Sequence, residues 1–283
     1  MRSQAAAVAR RSGYRATWSY AMRGWTWFYL GWLIFIPIVI LALTGLREGW
    51  RLMLSELWRP EARSAVLLTV YMSLIVVAID LVVGTVTAFV LVRRQFPGRT
   101  LLNSLVDLPF AVPTVVTGVM LVALLGPAGP IGGILSGHGI EVMFAKPGII
   151  LALLFVTFPF VVRAVQPVLE QADIEAEMAA KTLGASSWTT FLRVTLPTIL
   201  PAVLTGGTLS FARALGEFGS VVVVAGNIPF VSQVAAVYVY GQVESYNPAG
   251  ATAVSLELML LALLMLFLFR VLQSRARGGD RVD

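Results

Sequence analysis

Between two apolar stretches the chain reads Gln171-Ala-Asp-Ile-Glu-Ala-Glu-Met-Ala-Ala-Lys-Thr-Leu-Gly184-Ala-Ser-Ser-Trp-Thr-Thr-Phe-Leu-Arg-Val-Thr-Leu196-Pro197. Residues 171–183 are strong helix formers, and Gly184 stands where a left-handed glycine ends a helix. Ser186 or Ser187 can N-cap a second short helix, which Pro197 is expected to help terminate. Each piece falls short of the roughly 20 residues a membrane crossing needs. The pattern is a helix, a tight turn and a helix lying at a membrane face. Asp173, Glu175 and Glu177 make its first half negative, while Ile174, Met178 and Leu183 offer apolar contacts. From the residues alone it is either a docking element for a partner or an amphipathic connector resting on the bilayer.

Everything around it is oily. Of 283 residues, 58% are apolar and only 13% charged, with a mean hydropathy of +0.83. Soluble domains carry about 25% charged residues, so this chain cannot cover a globular surface with polar groups. A soluble enzyme and a one-span anchor are both excluded. Six apolar stretches run roughly from Trp25 to Leu46, Ser64 to Val92, Thr100 to Gly126, Pro147 to Gln166, Thr198 to Gly226 and Pro248 to Leu272. The fold class expected is an all-α polytopic membrane protein with six spans. Without cysteine there is no disulfide framework, thiolate metal site or Cys nucleophile. His138 stands alone in a Gly-rich loop, so no metal site is expected.

Basic residues set the orientation. With the N-terminus inside, fifteen of the 21 fall on the cytoplasmic side, among them Arg93, Arg94, Arg163, Lys181 and Arg193. Five fall outside (Arg47, Arg51, Arg59, Arg63 and Lys146), and Arg213 lies within a span. The excess predicts both termini in the cytoplasm. The net charge of +6 therefore reads as topology, not as a nucleic-acid surface. Trp18, Trp25 and Trp27 at one end of the first span, with Trp50 and Trp58 beyond the other, suit interfacial belts. The first 24 residues do not read as a cleaved signal peptide, since the apolar stretch is long and no small-x-small site follows it.

Met178-Ala179-Ala180, three residues, Gly184, nine residues, then Val194-Thr195-Leu196-Pro197 resembles the Glu-Ala-Ala, x3, Gly, x9, Ile-x-Leu-Pro loop of ATP-binding-cassette importer permeases. In that family the loop is the coupling helix, which fits a cleft on the cytoplasmic ATPase. The resemblance therefore implies that Glu177, Met178, Ala179, Ala180, Gly184, Leu196 and Pro197 couple the chain to an ATPase. One departure is visible, because the acidic side chain sits one residue early, at Glu177. Phe96 to Leu102, Asp107-Leu-Pro-Phe-Ala-Val-Pro113, Phe158 to Arg163 and Ser210-Phe-Ala-Arg-Ala-Leu-Gly-Glu-Phe-Gly219 resemble permeases of sulfate/thiosulfate importers. The Leu215-Gly-Glu-Phe-Gly219 element is shared with molybdate and tungstate permeases. The full six-span chain and the Ala225-Gly-Asn-Ile228 element favour sulfate.

The family resemblance implies a type I permease fold, with a cytoplasmic arm at 1–24, a first span at 25–46, a transporter domain at 63–272 carrying the coupling loop 167–197, and a tail at 273–283. It also implies a second permease of similar but distinct sequence, an ATPase dimer, and an external sulfate/thiosulfate-binding protein, all in a bacterial-type cytoplasmic membrane. No cofactor is expected on this chain. A Walker A loop needs Gly-Lys-Ser/Thr, and the chain's two lysines, Lys146 and Lys181, each follow alanine. ATP and Mg would then belong to the partner.

Ionisable groups within spans mark a pathway or a pair. Arg213 and Glu217, four apart, are expected on one face of the fifth span. They make either an ion pair holding the bundle or, with Ser210, an anion path in which Glu217 tempers the field of Arg213. Asp80 and Glu257 are expected to face protein or the interface and be hydrogen-bonded. Pro109 and Pro113 predict a broken third span. Gly206, Gly207, Gly216 and Gly219 serve close packing or bending. A self-contained ion-coupled transporter or channel would instead show an inverted repeat and midplane ion ligands, which are not evident.

Overall fold

A computed structural model describes residues 22–47 and 49–278, so most of the expected arm, with Trp18, and the end of the tail lie outside the described residues. Helix α1 (Met22–Arg47) is followed by the short α2 (Trp50–Leu57) and the long α3 (Pro60–Arg93). Pro60 starts α3, where its missing N–H costs no helical bond. Gly98, with φ at +89°, opens α4 (Arg99–Ala111), and α5 (Thr114–Leu125) and α6 (Gly132–Gly137) follow. Then come α7 (Lys146–Gln171), α8 (Ile174–Thr182), α9 (Ser187–Leu215), α10 (Gly219–Val224), α11 (Ala235–Glu244) and α12 (Pro248–Gly278).

Helices α1, α3, α7, α9 and α12 are each long and apolar enough to cross a bilayer. The third apolar stretch is broken, α5 being bent by 112° away from the line of α4. Val112 between them is extended, as the residue before Pro113 must be. Two expectations at the fifth stretch need correction. Pro197 does not end a short helix. A π-turn at Phe191–Thr195 shifts the register just ahead of it, Leu196 N–H donating to the carbonyl of Phe191, and α9 runs on to Leu215. At its far end the stretch does not continue to Gly226 as one helix. It stops at Gly216 and restarts as α10.

The centre of the bundle is α3, α7 and α9, which pack on one another along their length. Val161 of α7 is the shared knob. A Cβ on Gly84 of α3 would lie 2.8 Å from the Val161 Cβ, and one on Gly206 of α9 would lie 2.7 Å from its Cα. Absent side chains thus let both neighbours close on one valine, the way helices associate where lipid offers no hydrophobic drive. Around it lie Ala88, Leu91, Val162, Val165, Leu169 and Ile199. A second cluster, with Met72, Val76, Ile149, Leu153 and Val221, fills the opposite half. Helix α10 packs on α5, where Gly118 faces the Ser220 carbonyl. Helix α1 touches mainly α12 and α2, and stays largely uncovered.

Candidate coupling face and ion-pair sites

The segment 171–197 is a hairpin at one end of the bundle. Asp173 caps α8 by accepting the Glu175 N–H at 2.8 Å, and Ser186 caps α9 by accepting the Thr189 N–H at 3.1 Å. Between them Gly184 adopts φ +87°, with the Ala185 N–H donating to the carbonyl of Ala180 at 3.0 Å. That is the left-handed stop read from the sequence.

The hairpin sorts its side chains sharply. Glu177 turns inward, and its Oε1 receives Nη2 of Arg93 at 3.0 Å and Nε at 3.3 Å, from the end of α3. Both side chains are 11% exposed. The carboxylate expected to meet an ATPase is therefore spent within the chain. Met178 (53% exposed) and Leu183 (88%) point outward instead. Ala179 is exposed and Ala180 half-buried. Leu196 leans on the Val161 cluster and Pro197 stands exposed about three turns into α9, so these two belong to the bundle and not to the hairpin tip.

Ionisable groups of the apolar stretches make three further sites of interest. Arg213 Nη1 lies 2.5 Å from Glu217 Oε2, with Glu217 buried and Arg213 about a third exposed. This is not a pair along one helix face, because α9 ends between them. Glu217 Oε1 accepts the backbone N–H of Ser220 at 2.7 Å and its hydroxyl at 2.8 Å, so the same carboxylate caps α10. Ser210, expected beside this pair, is turned away and fully buried. Its hydroxyl donates to Asp80 Oδ2 at 2.6 Å, where Thr157 also bonds at 2.6 Å. Asp80 thus faces protein, though its Oδ1 has no partner. Glu257 accepts no hydrogen bond among the described residues, and Arg63 is its charged neighbour.

The third site was not read from the sequence. Arg163 of α7 grips Asp107 of α4 through Nε and Nη2 at 2.6 and 2.7 Å. It also donates to the Asn103 side chain and carbonyl and to Gln166. An aspartate two residues before a proline in an apolar stretch was the available signal, since such a charge needs a partner.

Residues 80–278 match the family described as binding-protein-dependent transport system inner membrane component. The chain belongs to this family. The permease is 42% identical over 264 residues to the sulfate transport system permease protein CysT of Synechococcus elongatus, covering 92% of each chain. It is 44% identical over 227 residues to the probable sulfate transport system permease protein of Chlorella vulgaris, covering 80% of this chain and 85% of that one. Among solved structures, a bacterial transporter that imports the acidic polysaccharide alginate aligns at a TM-score of 0.78 and 17% identity, over 94% of this chain and 98% of that one. The fold is that of a type I importer permease, and the permease is a multi-pass membrane subunit without an enzymatic role of its own.

Proposed function

We propose that this permease is the membrane-spanning subunit of an ATP-driven importer of sulfate or thiosulfate in a bacterial-type cytoplasmic membrane. What carries the reading is near-full-length similarity to relatives named sulfate transport permeases, joined to a hairpin that turns the apolar Met178 and Leu183 outward. The alginate importer that shares the fold has also been solved with a periplasmic protein bound to alginate pentasaccharide. By analogy, an external binding protein would deliver the anion to the loops around α6 and α11. A distinct sister permease would complete the pore, and an ATPase dimer holding ATP and Mg would seat Met178 and Leu183.

Closure of the ATPases would draw the two hairpins together. The Arg93–Glu177 pair would hand that displacement to α3, and through the Gly84–Val161–Gly206 contact to α7 and α9. On this reading Arg213 presents its exposed edge to the passing dianion. Glu217, paired with Arg213 through one oxygen and hydrogen-bonded to Ser220 through the other, keeps the site from trapping it.

The test is reconstitution of the permease with its sister, the ATPase and the binding protein in vesicles. Uptake of labelled sulfate or thiosulfate that depends on ATP and on the binding protein is expected. Uptake of molybdate or tungstate in preference would replace the substrate but keep the class. Uptake without the ATPase would overturn both.

A further inference from the structure

Beneath the coupling hairpin lies a cavity of about 630 Å³ between α3, α8 and the start of α9. Its walls divide by chemistry. Val86, Phe89 and Val92 of α3 form an apolar side with Phe191, whose ring packs edge-on against Phe89 at 5.5 Å. At the other side stand Arg93, Arg94 and Lys181. Arg93 is neutralised by Glu177, but Arg94 and Lys181 have exposed side chains and no partner among the described residues. Thr190 lines the cavity as well. It is 3% exposed, and its hydroxyl has no hydrogen-bond partner.

An unpaired cation at the end of a membrane-spanning helix, a second one on α8 beside it and an apolar wall running back along the spanning helix describe an amphipathic, anionic ligand. We propose that this cavity binds an acidic phospholipid, its phosphate held by Arg94 and Lys181 and its acyl chain laid along Val86 and Phe89. Basic pockets at the cytoplasmic ends of spans bind lipid headgroups in this manner. The outward residues of the hairpin, Met178 and Leu183, do not line the cavity, so an ATPase seated on them need not fill it. A lipid there would wedge α8 and α3 at the pair that joins them, setting how stiffly the hairpin is held. The inference depends on the chain spanning a membrane and not on which anion is carried.

The test uses the full-length permease in phosphatidylcholine vesicles doped with phosphatidylglycerol, with lipid retained after extraction read by native mass spectrometry. Phosphatidylglycerol should be retained over phosphatidylcholine. Arg94→Gln with Lys181→Gln should lower that retention about tenfold, because each basic group contributes separately to anionic-lipid attraction. The charge-preserving pair Arg94→Lys with Lys181→Arg should keep it, as should Arg270→Gln, which lies outside the cavity. Equal retention of both lipids, or full retention in the double Gln variant, overturns the proposal. So does displacement by inorganic phosphate, which would make the site one for free anions. Loss of the lipid on assembly with the ATPase would assign the cavity to a protein interface and overturn it equally.

Discussion

Arg93 and Glu177, 84 residues apart in sequence, meet at 3.0 Å with both side chains nearly buried, and they tie α3 to the hairpin 171–197. Removing one member leaves the other charged and desolvated. Arg93→Met should therefore destabilise the permease by about 3 kcal/mol or more, while Arg93→Met with Glu177→Met should regain most of the loss. Thermal unfolding in detergent measures both. Additive losses would mean that the pair is not coupled.

Outward exposure of Met178 and Leu183 makes them the contact surface for an ATPase on the proposed function. Leu183→Asp and Met178→Asp should each weaken co-purification of the ATPase at least tenfold, on the order of the loss of one central interface anchor. Neither should shift the unfolding temperature of the isolated permease. Undiminished assembly in both would place the docking surface elsewhere.

Glycines in α9 differ in what surrounds them. A Cβ at Gly206 meets the Val161 backbone at 2.7 Å, whereas at Gly216 the nearest atom is the Ala212 carbonyl oxygen at 3.8 Å. Gly206→Ala should cost about 1–3 kcal/mol through overpacking, and Gly216→Ala should leave the unfolding temperature unchanged. Equal effects at the two positions would show that bending, and not packing, is what these glycines provide.

Glu217→Gln separates the two tasks of that carboxylate. The amide oxygen can still accept from Ser220, so α10 keeps its cap, but Arg213 loses its counter-ion. In vesicles the variant should bind the anion more tightly and release it more slowly, so that both KM and kcat for uptake fall. If Arg213→Gln and the double Gln variant both transport at the parental rate, the pair is structural only.

The spans were legible because about 20 consecutive apolar residues have few other uses, and the hairpin because Gly184 and Ser186 each carry a turn or cap in their own chemistry. Pro197 misled because proline ordinarily stops a helix, and the π-turn that absorbs it leaves no mark in residue type. Glu217 misled because a spacing of four looks helical whether or not the helix continues. Ser210 was grouped with Arg213 by that same face argument, while its hydroxyl serves Asp80. Long-range pairings such as Arg93 with Glu177 and Arg163 with Asp107 follow from topology, and one sequence does not say which of several charges will meet.

The 112° break at Val112–Pro113 sets a dimension of the transport route. At ~1.5 Å per residue, the 13 residues of α4 and the 12 of α5 reach about 20 and 18 Å, against a hydrocarbon thickness of about 30 Å. Bent this sharply, the two halves cannot both stand across the bilayer. In a bilayer one of them would lie sideways, and the wall they form would be thinner than the membrane around it. On the proposed function, a dianion crossing beside that wall would be out of bulk water for only part of the bilayer's depth. The low-dielectric distance, and the solvation energy forfeited along it, shrink accordingly.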